Sequence, residues 1–347
     1  MNPKERVIAQ IEHHETDFLP YYLIFDDESE IEIKLDAYFG TEEWRLQLDN
    51  AIHVLPMPSE ELVIELGGKA SWTDLYGSTW RCDVRPFHLS SPTLREPSLE
   101  GYQFPTMEEC FENGWEEQVR KLISEEKDYF LLLRFGFGLF ERSWALRGFN
   151  NVLMDVIINR TFYEELLDRI TEHQLQIIDR LVTFDVDGIY FSDDWGYQDG
   201  ILIGPERWRE MIKPRVAMMY QRVHDAGKYV LTHCCGSIAE IIPDVIEIGL
   251  DVYESVQPEA RNNNPYELKQ KFGGDLTFWG GLGSQSILPL GTPKEIRVEV
   301  ERLCSEMGRG GGYILAPAKA IQPETPIENA AATVEAFLEQ AGETITS

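Results

Sequence analysis

The chain has 347 residues, with 31 Lys and Arg against 60 Asp and Glu, a formal net charge of −29 and a pI of about 4.6. That acidity excludes a general binder of phosphate backbones and argues against docking on anionic lipid, so neither nucleic acid nor membrane is expected as a partner. With 43% hydrophobic and 26% charged residues, the composition is that of a soluble globular protein with ample core. One barrel-sized unit over 1–347 accounts for the length as well as two domains would. Charges in Met1–Ile8 interrupt any secretion signal, and the longest uncharged stretch, 276–293, is broken by glycines and prolines. The five cysteines (82, 110, 234, 235 and 304) are odd in number and scattered, which suggests no disulfide framework and a reduced, cytoplasmic protein.

Apolar residues at helical spacing predict an opening helix over Glu5–His13. Leu19–Phe25 reads as a strand running into Asp26, Asp27 and Glu28. The next hundred residues are irregular, and Trp72–Trp80, with its aromatics and central glycine, predicts a hairpin or cover element. From residue 129 the pattern is regular. Strands are expected at 129–134, 188–191, 229–233, 252–256, 276–279 and 312–316. Helices are expected at about 143–157, 161–184, 205–226, 237–248, 265–272, 293–307 and 326–341. Short apolar strands alternating with helices imply parallel βα units. No strand leads through Gly-x-Gly-x-x-Gly into a helix, so the dinucleotide fingerprint is missing.

Reactive residues concentrate just after the strands: Asp26 to Glu28, Arg134, Asp193 and Asp194, His233 to Cys235, Glu254 and Gln257, Gly280 to Ser284, and Lys319 with Gln322. Functional groups at the carboxyl ends of several strands suit a (β/α)8 barrel better than an open sheet. On an extended segment His233 and Cys235 project to one face and Cys234 to the other. An imidazole and a thiolate so spaced can grip one ion, zinc above all. Asp193, Asp194 or Glu254 would supply oxygen to complete the set. The alternatives for His233 are proton transfer or simple packing at the strand end. Of the adjacent Asp193 and Asp194, only one faces the cavity, and helix capping is the alternative to a functional role. Asp74 in the hairpin is either a turn residue or a substrate contact.

These residues resemble the uroporphyrinogen decarboxylase superfamily, in its branch similar to cobamide-dependent methyltransferases. The resemblance runs from Glu5–Asp17 through Asp193–Gly196, His233–Gly236, Gln257–Glu259, Phe278–Gly281 and Gly310–Pro317 to Ile321–Asn329. It implies one (β/α)8 barrel with an N-terminal helix and a cover segment. It also implies zinc on a His-x-Cys pair and a later cysteine; His233 and Cys235 match the pair, but Lys319 stands where the third ligand would fall. The expectation is a zinc-assisted methyltransferase that moves a methyl group between a small methylated substrate and the cobamide of a corrinoid protein. Its metal ligands would be His233, Cys235 and Glu254, with proton handling by Asp194 and Lys319. Asp74, Arg134, Asp193 and Gln257 would contact substrate, and a homodimer fits the family. The alternatives are decarboxylation of a tetrapyrrole and a non-catalytic corrinoid- or tetrapyrrole-binding barrel. Against decarboxylation, the acids Asp26 to Glu28 stand where the decarboxylase branch carries arginines to hold its polycarboxylate.

Overall fold

A computed structural model of the chain describes residues 1–26, 30–58, 71–83, 87–111 and 114–345; Asp27 and Glu28 lie outside the described residues. The strands are β1 (Ile52–Val54), β2 (Ser71–Thr73), β3 (Thr79–Arg81), β4 (His88–Ser91), β5 (Phe130–Phe137), β6 (Gly188–Ser192), β7 (Gly196–Tyr197), β8 (Gly200–Ile201), β9 (Tyr229–His233), β10 (Val252–Val256), β11 (Thr277–Leu282) and β12 (Tyr313–Pro317). Seven of them form a parallel sheet in the order β1-β5-β6-β9-β10-β11-β12. Helices connect most of these strands, as parallel pairing requires.

The expected first strand, Leu19–Phe25, is reduced to two isolated bridges, Tyr21 with Leu315 and Phe25 with Ile321. Its hydrogen bonds go elsewhere. Pro20 has no N–H to give, and Leu23 exchanges both of its backbone bonds with the Asn50 side chain. Tyr22 N still donates to Leu315 O at 2.9 Å and Ala51 N to Tyr21 O at 3.0 Å. The segment therefore contacts both edges of the sheet, which curls toward itself.

Side chains sort by the strand period of two. Ile52, Phe130, Leu132, Leu231, Val252, Trp279 and Ile314 form an inner apolar cluster enclosed by the curled sheet. Leu131, Leu133 and Phe135 point the other way, into the larger cluster beneath the helices.

The Trp72–Trp80 hairpin is present and larger than expected. β2, β3 and β4 make a three-stranded antiparallel sheet. Polar groups fasten it to the helices: Ser78 Oγ donates to Ala145 O at 2.8 Å, and Tyr76 Oη lies 3.0 Å from His173 Nε2. Arg142 lies over the Tyr76 ring at 3.7 Å.

Two helices depart from expectation at prolines. The helix expected from Ser237 begins only at Ile242, with Pro243 in its first turn, where a missing N–H is harmless. The 205–226 helix is interrupted by a π turn at Trp208–Ile212, just before Pro214. Helices Ile31–Phe39 and Trp115–Glu125 were not foreseen, although Trp115, Val119 and Leu122 keep helical spacing in the second. No helix among the described residues is long and apolar enough to cross a membrane.

Candidate active site and possible metal centre

β9 ends in His233, and two residues on, Cys235 projects to the same side. The Cys235 Sγ lies 3.2 Å from His233 Nε2. From the loop after β6, Asp194 Oδ1 stands 3.6 Å from the same nitrogen and accepts the Cys235 N–H at 2.7 Å. One ligand atom from each of Asp194, His233 and Cys235 falls within 4.8 Å of the others. Nitrogen, sulfur and oxygen donors in one cluster match what zinc takes.

Glu254 is not brought into that triad. In the middle of β10, its carboxylate bonds the other ring nitrogen, His233 Nδ1, and accepts from Tyr190 Oη at 2.6 Å. Such a partner sets the tautomer that leaves Nε2 facing the cluster. Burial pulls the His233 imidazole down, but the Glu254 carboxylate and the Cys235 sulfur outweigh it, so its pKa stands well above the ordinary value. Burial, with Glu254 adding to it, pushes the Tyr190 phenol well up.

The adjacent aspartates take opposite roles. Asp193 is buried and turns away from the cavity, accepting from Phe140 N at 3.0 Å, Glu141 N at 2.8 Å and Trp195 Nε1 at 2.6 Å. It thereby caps the first turn of helix Leu139–Arg147. Burial pushes its carboxyl up to about 7 against the pull of those three donors. Glu141, unforeseen in the sequence, is buried beside them. Burial, then Asp194 and Asp193, raise its carboxyl well above the usual range.

A cavity of about 340 Å³ opens over Cys235, with Gln257 and Lys319 among its walls. Gln198, Gln285, Gln322 and Glu324 also line it. Gln257 Oε1 accepts the Gly236 N–H at 3.1 Å. Two glycines press the loops together: a Cβ on Gly196 would meet Cys235 O at 2.6 Å, and one on Gly236 would meet Tyr197 N at 2.7 Å. The wall behind Cys235 is therefore backbone against backbone.

Asp74 is not brought to this cavity. It is buried in the cover hairpin, where Ser78 N donates to Oδ1 at 2.8 Å and Trp80 Nε1 to Oδ2 at 2.9 Å. Arg134 shares the inward face of β5 with Phe130 and Leu132 and pairs in register with Tyr190. Neither Tyr190 nor Glu141 was singled out in the sequence. Period-two counting back from Ser192 along β6 would have found Tyr190; nothing in the local pattern marks Glu141.

A family model described as uroporphyrinogen decarboxylase (URO-D) matches residues 142–340. The methylcobamide:CoM methyltransferase MtaA of Methanosarcina barkeri is 26% identical over 174 residues, 50% of this chain and 48% of that protein. The uroporphyrinogen decarboxylase of Thermus thermophilus is 27% identical over 180 residues, 52% of this chain and 49% of that protein. The chain thus spans about half the length of the curated relatives it matches. A solved methyltransferase structure from Methanosarcina mazei superposes with a TM-score of 0.71 at 19% identity, covering 98% of this chain and 99% of that one, a likeness of fold. With more than half of its residues matched by the family model, the chain belongs to the uroporphyrinogen decarboxylase family.

Proposed function

We propose that the protein is a corrinoid-dependent methyltransferase taking a methyl group from a small methylated substrate to the cobalt of a partner corrinoid protein. The observation that carries this reading is the Asp194, His233 and Cys235 cluster beneath a cavity that Lys319 also lines. Held by these three side chains, zinc would supply Lewis-acid polarisation of the heteroatom that carries the methyl group. Glu254 keeps His233 oriented, and Tyr190 in turn holds Glu254. As the carbon–heteroatom bond breaks and the cobalt–carbon bond forms, the heteroatom leaves with its electron pair. The Lys319 ammonium gives it a proton, while Asp194, as an ionised ligand, only accepts.

The similarity to the Thermus decarboxylase favours a second reading, decarboxylation of a tetrapyrrole. A cavity of about 340 Å³ suits a small molecule, and one lysine in a wall that also carries Glu324 is a poor counter-charge for a polycarboxylate. Methyl transfer therefore leads.

The test is metal content by mass spectrometry, together with methyl transfer to free cob(I)alamin, on wild type and His233→Ala purified without chelator. Near-stoichiometric zinc in wild type, little in the variant, and a fall in transfer of at least about 10²-fold are expected. Equal zinc or equal rates in the two proteins would refute the metal mechanism. Coproporphyrinogen formed from uroporphyrinogen would establish the second reading.

A further inference from the structure

Arg134 is an unusual cation in a chain of net charge −29. It sits on a strand paired on both sides, by β1 and β6. Its face of the strand is the inner one: Phe130 and Leu132, four and two residues earlier, belong to the enclosed apolar cluster. Its neighbours Leu133 and Phe135 are buried on the outer face. Arg134 is nonetheless only half-buried. With β1 paired only as far as Leu132 and the apolar layer below, Arg134 stands beside Tyr190 of β6, whose hydroxyl bonds Glu254, and so on the side of the strand ends where His233 stands.

Its Nε is buried with no hydrogen-bond partner, and no acid pairs with it among the described residues. Guanidinium groups are seldom left this way, since a buried charge without a partner is costly. Arg142 has the Asp74 carboxylate 4.0 Å from its Nη1. Arg147, almost as buried as a side chain can be, binds Asp155 at 2.7 Å and two backbone carbonyls. Beside Arg134, Tyr190 is bonded to Glu254, and Glu254 in turn to His233.

We infer that Arg134 receives a carboxylate of the methyl-bearing substrate, so that the substrate class is a small methylated acid. This rests on the methyl-transfer reading for the identity of the reacting end, although the anion site itself does not. A planar carboxylate matches the guanidinium fork through two parallel N–H bonds. It also explains how an anion enters a mouth carrying Asp194, Glu254 and Glu141: the favourable charge is provided at one point, and the acids remain around the metal ligands. The methyl-bearing end then lies toward Cys235, and the acid end lies toward β5.

The test is binding by saturation-transfer NMR of three probes to the intact wild-type chain, Arg134→Lys and Arg134→Gln: methoxyacetate, 2-methoxyethanesulfonate and neutral 1,2-dimethoxyethane. Wild type should prefer methoxyacetate to the neutral ether by at least about 10-fold. Lysine should keep part of that preference, and glutamine should abolish it. Melting temperature separates this from a structural role, because removing an unsatisfied buried charge leaves it equal or higher in Arg134→Gln. No methoxyacetate binding, an unchanged preference in Arg134→Gln, or binding of the sulfonate alone overturns the assignment. Transfer to cob(I)alamin distinguishes the two readings. Arg134-dependent acid binding with no methyl transfer from any donor would refute the transferase and leave the acid site standing. Equal transfer from methoxyacetate by wild type and Arg134→Gln would do the reverse.

Discussion

The floor and the mouth of the curled sheet are built from the same strands, two residues apart, and differ in every respect that matters chemically. On β5 the floor residue is Leu132 and the mouth residue Arg134; on β9 they are Leu231 and His233; on β10, Val252 and Glu254. The floor is apolar and shut off from water. The mouth gathers the groups with shifted pKa values, His233 and the neighbouring Tyr190 and Glu141. Folding energy is concentrated in one layer and reactivity in the next, so a mutation in either should leave the other measurably intact. Burying one floor side chain contributes about 1.5–3 kcal/mol, whereas an ionisable mouth residue contributes chiefly to function.

The sharpest break comes from the floor. Phe130 is fully buried at the start of β5, so Phe130→Ala should cost about 3–5 kcal/mol in urea unfolding. Zinc per folded molecule should stay unchanged. Metal loss from the folded fraction would show that the two layers are not separable.

The cover offers an intermediate case, with polar burial away from the mouth. Burial holds the His173 imidazole at about 4 rather than 6.5, so it is neutral in the folded protein. The unfolded chain takes up a proton below 6.5. His173 therefore contributes stability that is fully present above pH 6.5 and is lost as pH falls toward 4. The loss should reach about 3 kcal/mol. In His173→Gln the stability should depend less steeply on pH across that window. Identical slopes would mean that the imidazole is not held neutral beneath the cover.

The smallest effect is expected from Glu254→Gln, which keeps an acceptor for the His233 N–H but loses the charge. Zinc affinity should fall by about 10–100-fold with unfolding little changed. A complete loss of metal would make Glu254 a direct ligand, as the sequence alone suggested.

Much of this arrangement was legible before any coordinates. The positions of the parallel strands from β5 onward, the cover hairpin and the shared projection of His233 and Cys235 follow from alternation and spacing. What escaped depends on three-dimensional closure. Asp193 and Asp194 are equivalent in a strand-end pattern, and only the helix start at Leu139, distant in sequence, claims the first as its cap. Glu254 reads as a ligand because it ends a neighbouring strand, but the ring orientation decides which nitrogen it meets. The Leu19–Phe25 strand is weakened by Asn50, a side chain whose competition with backbone pairing carries no periodic signal. The absence of a partner for Arg134 is a property of every residue around it, and no local motif encodes it.

The contact of Gly196 with Cys235 and of Gly236 with Tyr197 bears on how the protein could be redesigned. A library aimed at new substrates should vary Gln198, Gln285 and Gln322, whose side chains line the cavity. The two glycines should stay constant, because any side chain there meets main-chain atoms that cannot rotate away. Mutagenic tolerance around this pocket is thus divided, with side-chain positions open to exchange standing within a few residues of positions that admit one amino acid.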